Sequence, residues 1–100
     1  MNLIEQRDKS IEQVLAKFDF DKVHKAMVAV DWKWRCDDKL EIPARDMLIS
    51  TARQLLENAW ENEGTARTGG FVAWYDEEPD ENGQNTIGLQ FVFATYETGV

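Results

Sequence analysis

The stretch from Phe18 to Cys36, FDFDKVHKAMVAVDWKWRC, decides how this chain is read, because two secondary structures compete within it. As a helix, Phe20, Val23, Met27, Val30 and Trp34 fall at i, i+3, i+7, i+10 and i+14, one apolar stripe at helical period. Asp19 suits the N-cap, and Asp21 places a negative charge in the first turn, where the helix dipole favours it. Phe18 and Val23 then have the N′ and N4 spacing of a hydrophobic staple. As a strand, Val28, Val30, Trp32, Trp34 and Cys36 alternate with Ala29, Asp31, Lys33 and Arg35. The two patterns are reconciled by a helix over about 20–30 followed by an extended segment over 32–36. In that segment both indoles face one way, and Lys33 and Arg35 the other.

On the N-terminal side, 3–17 (LIEQRDKSIEQVLAK) reads as a first helix, with Ile4, Ile11, Leu15 and Phe18 near one face. On the C-terminal side, CDDKLEIP is a polar connector, and Pro43 suits the first position of a helix over 43–62. There Ala44, Leu48, Ala52, Leu55 and Ala59 make the main stripe, Met47, Thr51, Leu56 and Trp60 widen it, and Gly64 is the stop. The period then changes to two. TARTGGFVAWY (65–75) and NTIGLQFVFATYE (85–97) read as two strands, joined by the acidic turn DEEPDENGQN.

The expected architecture is therefore one α+β domain over 1–100. Two to three N-terminal helices pack on a C-terminal antiparallel β-hairpin, and the sheet is extended either by residues 32–36 or by a second chain. Because a lone hairpin cannot cover both of its apolar faces, the chain is expected to form a homodimer or higher symmetric oligomer through that hairpin.

Composition narrows the function. The chain has 100 residues and a net charge of −8, and 30% of its residues are charged, as in an ordinary globular domain. Residues 1–67 hold all eleven Lys and Arg, whereas 68–100 hold six acids and no base. That balance argues against generic nucleic-acid or membrane-surface binding. The single Cys makes no intrachain disulfide, and the charged N-terminus lacks the apolar core of a signal peptide, so a cytoplasmic setting is expected.

Catalytic sets are thin. His24 and Cys36 could in principle pair as base and nucleophile, but a half-buried helix His and a small buried thiol are the simpler account of both. Ser10 and Ser50 lie in no nucleophile elbow, and one His with one Cys does not make a zinc site. The acidic run Asp76, Glu77, Glu78, Asp80, Glu81 lacks the Gly and the terminal Glu of an EF-hand loop. No catalytic residue, metal or cofactor is assigned.

Two stretches carry the binding chemistry. In TARTGGF, Gly69 and Gly70 let the backbone approach a ligand closely, while Thr65, Arg67 and Thr68 add hydroxyls and a cation. The simpler structural use of the glycines is a bulge or a tight entry into the hairpin. In DWKWR, Trp32 and Trp34 offer faces that stack on bases, with Lys33 and Arg35 beside them for phosphates. The simpler use of the indoles is to plug the core.

The same residues carry a resemblance. FDFDKVHKAMVAVDWKW, then a helix, then TGGF and an LQFVF strand, resembles small uncharacterised proteins encoded by tailed bacteriophages, over roughly residues 18–95. It brings no catalytic residues. It implies a host-cytoplasm setting and an accessory role against host defence or metabolism. The leading expectation is thus a small non-enzymatic binding protein that sequesters a nucleotide-like ligand. The alternative is an acidic inhibitor of a host protein that imitates nucleic acid through 68–100, and the third reading is an enzyme centred on His24 or Cys36.

Overall fold

The computed structural model describes residues 3–76, 81, 86–91 and 94–99. Helix α1 (Leu3–Lys17) and helix α2 (Phe20–Val30) come first, followed by two short strands, β1 (Trp34–Cys36) and β2 (Lys39–Glu41). Helix α3 (Arg45–Glu61) precedes four further strands: β3 (Thr65–Thr68), β4 (Phe71–Asp76), β5 (Thr86–Phe91) and β6 (Ala94–Gly99). The chain is an α+β domain. Its helices do not all precede its strands, however, because the β1–β2 ribbon separates α2 from α3.

The competing patterns of the deciding stretch are resolved by two caps. The Asp19 carboxylate accepts from the Lys22 backbone N–H at 2.9 Å, which starts α2. Such a cap contributes about 1 kcal/mol. At the far end Asp31 turns left-handed (φ 54°). The Trp32 N–H then bonds to the Met27 carbonyl and the Asp31 N–H to that of Val28, a Schellman closure. Helical spacing therefore ends at Val30, and Trp34 leaves the stripe for β1. Phe20, Val23 and Met27 are buried, whereas Val30 is exposed.

Three expectations are corrected by the strand pairing. First, 32–36 does not extend the main sheet. Trp34, Arg35 and Cys36 pair with Glu41, Leu40 and Lys39 in a separate antiparallel ribbon, so CDDKLEIP is not merely a connector. Its turn, Asp37–Asp38, has positive φ at both residues (51° and 43°), the sign pattern of a two-residue hairpin turn. Second, 65–75 is two strands. Gly69 and Gly70 (φ 58° and 103°) reverse the chain, and Thr68 pairs with Phe71. Third, 85–97 also folds back, with Phe91 opposite Ala94 and Leu89 opposite Tyr96. The expected single hairpin is therefore a four-stranded antiparallel sheet in the order β3-β4-β5-β6, extended by the chain's own strands. Val92 and Phe93 lie outside the described residues.

Helix α3 also differs at its ends. Pro43 is buried ahead of the N-cap, Ala44, rather than opening the helix. The left-handed residue that closes it is Glu63 (φ 49°), and Gly64 follows, donating its N–H to the Ala59 carbonyl. The Schellman closure needs a positive φ one residue earlier than the glycine.

Strand alternation sorts the sheet into two faces. Phe71, Ala73, Ile87, Leu89 and Phe91 are buried on the inner face, against which α1 and α3 pack. Ile11 and Val14 from α1, and Leu48, Ala52, Leu56 and Ala59 from α3, complete this core. The rings of Phe18, Phe20, Phe71 and Phe91 form its aromatic centre, with centroids 4.9–6.3 Å apart. On the outer face the Trp74 indole lies on Gly88, its cross-strand partner. A Cβ there would fall 2.1 Å from the ring.

Candidate ligand-binding cleft

The two stretches singled out in the sequence meet in space. The Gly69–Gly70 turn sits directly beneath the indoles of the ribbon. A Cβ on Gly69 would come within 2.5 Å of the Trp34 ring, and one on Gly70 within 3.1 Å of Trp32. Trp34 Nε1–H donates to the Gly69 carbonyl oxygen at 2.8 Å. Each indole is also tied to the core. Trp32 lies 5.4 Å from Phe91, and Trp34 packs edge-on at 6.1 Å from Phe71. Both remain half-buried, while Lys33 and Arg35 between and beside them are exposed. The alternation expected for 32–36 is thus present. The indoles serve partly as core plugs and partly as surface.

An open cleft of about 640 Å³ lies at this junction. Residues 32–37 of the ribbon form one wall, and Thr68, Gly69 and Gly70 form another. Met47 and Thr51, one helical turn apart on α3, supply the rest. Of the nine residues expected at the site, seven line it: Trp32, Lys33, Trp34, Arg35, Thr68, Gly69 and Gly70. Thr65 and Arg67 do not. They alternate with Ala66 and Thr68 along β3, are exposed, and pair with Trp74 and Val72, whose side of the sheet is the outer one.

Sequence reasoning missed four lining residues as cleft members. By sequence Asp37 belongs to a polar connector, and Cys36 reads as the end of an alternating strand, a nucleophile or a buried thiol. Met47 and Thr51 read as widening the apolar stripe of α3. The available signal was the hydroxyl of Thr51, which is out of place on a core-facing stripe.

Charge is unevenly matched within the cleft. Lys33 Nζ sits 3.6 Å from an Asp31 carboxylate oxygen, an exposed pair and therefore a weak one. Arg35 and Asp37 have no hydrogen bond or ion pair among the described residues. The Cys36 thiol contacts Met47 Sδ at 3.5 Å. Desolvation, reinforced by the carboxylates of Glu41 and Asp37, pushes its pKa up. A thiol held protonated is the opposite of an activated nucleophile. His24 is half-buried on α2 and does not line the cleft.

Of the acidic run 76–81, Glu77, Glu78 and Asp80, on which the metal reading and the acidic centre of the 68–100 mimicry reading rest, lie outside the described residues. Among the described residues, no cluster of His, Cys, Asp and Glu could hold a metal ion, and no helix is long and apolar enough to cross a membrane. No family model, curated protein or solved structure matched the chain.

Proposed function

We propose that this chain is a small non-enzymatic binding protein whose cleft takes a nucleotide-like ligand. The observation that carries the reading is Arg35, a cation with no ion-pair partner among the described residues, lining the same cleft as two half-buried indoles and a glycine turn. A guanidinium presents a planar fork of donors matched to phosphate oxygens. An exposed indole face stacks on a base, a contact of about 1–3 kcal/mol. The cleft volume lies within the range of about 300–1,000 Å³ usual for small-molecule sites. In the host-cytoplasm setting implied by the phage resemblance, such binding would withdraw a signalling nucleotide from host defence.

The test is a thermal-shift screen against linear and cyclic nucleotides with native protein and Arg35→Ala. A ligand at about 100 times its Kd adds about 2.7 kcal/mol to native stability. For a domain of this size that raises Tm by roughly 10 °C or more. The rise is expected in native protein and is lost in Arg35→Ala, since the Arg35 side chain is exposed and has no other partner among the described residues. No shift with any nucleotide at millimolar concentration removes the reading.

Self-association is a separate proposal, supported by the outer sheet face. Val72 and Trp74 stay partly exposed there, while α1 and α3 pack on the opposite face. A second copy applied through a two-fold contact would cover both side chains with identical patches. Sedimentation at micromolar concentration is expected to show a dimer. A single species near the 11.6 kDa chain mass overturns it.

A further inference from the structure

We infer that the cleft selects guanine over adenine, with the Asp37 carboxylate accepting from the guanine base. The inference rests on the nucleotide reading above and adds the choice of base. Asp37 lines the cleft together with Lys33 and Arg35, so the site carries two cations, one of them beside Asp31, and one anionic group. The carboxylate has no hydrogen-bond or ion-pair partner among the described residues. It stands at the tip of the β1–β2 ribbon in a left-handed conformation, φ 51°.

An ionised carboxylate accepts hydrogen bonds and donates none. Beside a phosphate it is repulsive, so in a nucleotide cleft its favourable partner is a pair of donors on the base. Guanine presents N1–H and the N2 amino group side by side, matching the two carboxylate oxygens. Adenine presents an amino donor next to the N1 acceptor, whose lone pair faces the carboxylate and repels it. A bidentate pair of this kind discriminates by roughly tenfold to a hundredfold in Kd.

Isothermal titration with GMP, IMP and AMP decides the matter. Native protein is expected to bind GMP at least tenfold more tightly than AMP. IMP, which keeps N1–H but lacks the amino group, falls between them. This ligand series needs no change to the protein. In Asp37→Asn, GMP binding weakens and the gap to AMP shrinks below about threefold. Asparagine tolerates the left-handed conformation, so the ribbon turn is kept. Equal binding of GMP and AMP by native protein, or a gap that survives in Asp37→Asn, overturns the base choice and leaves the cleft reading standing. No binding of any of the three at millimolar concentration overturns both.

Discussion

Phe71→Ala is expected to lower the stability of this domain by about 3–5 kcal/mol, as deletion of a fully buried phenylalanine ring generally does. The ring is 1% exposed and stands where every layer of the fold meets. Its centroid lies 6.0 Å from Phe18, 6.3 Å from Phe20, 6.1 Å from Trp34 and 4.9 Å from Phe91. Those four partners belong to the α1–α2 junction, α2, the ribbon and the sheet. Removing the ring leaves a cavity that none of them can fill without moving. Small domains have about 5–15 kcal/mol in total, so the loss is a large share. Urea denaturation should show a lower midpoint at an unchanged slope. Nucleotide binding should weaken in parallel, because Trp34 loses the edge it packs against. A midpoint equal to that of native protein would refute this account of the core.

Gly70→Ala should be nearly as damaging, although it adds a single methyl group. At φ 103° an L side chain is strained whatever the space around it, at a cost of about 1–3 kcal/mol. The space is also missing. The new Cβ would sit 2.5 Å from Cε2 of Phe91, a ring that is itself fully buried, and 3.1 Å from Trp32. Overpacking of a filled core adds about 1–3 kcal/mol more. Together they should depress Tm by about 10 °C or more for a chain of this length. The variant also pushes Trp32 away from the turn, so the cleft should lose its shape before the fold is lost. Differential scanning calorimetry checks the first effect and nucleotide titration of the variant the second. An unchanged Tm would mean that the turn is not built as described.

The three helices, and both limits of α2, were legible in the sequence because their causes are local, whereas α3 starts after Pro43 and closes on Glu63. Asp19 caps its own helix, Phe20, Val23 and Met27 recur at helical spacing, and the change from period 3.6 to period 2 near Trp32 marks a real boundary. The exposure pattern of residues 32–36 was legible for the same reason, since alternation is a property of any extended segment. The strand count was not. Asp37–Asp38 turns a ribbon without a glycine, and Phe91 pairs with Ala94 across Val92-Phe93, which contains no turn-forming residue. Those reversals are set by which partner strand satisfies the backbone, a non-local choice that propensity does not record. The cleft divides likewise. Its chemistry was visible as DWKWR and TGG, but their meeting depends on Trp34 finding the Gly69 carbonyl 35 positions away. Its third wall, Met47 and Thr51, belongs to the cleft because Cys36 of the ribbon meets Met47 of α3, and the loss of Thr65 and Arg67 from the site follows from the pleat of β3. Side-chain chemistry and local period are written in the order of residues, whereas which surfaces face each other is decided by packing among elements far apart in the chain.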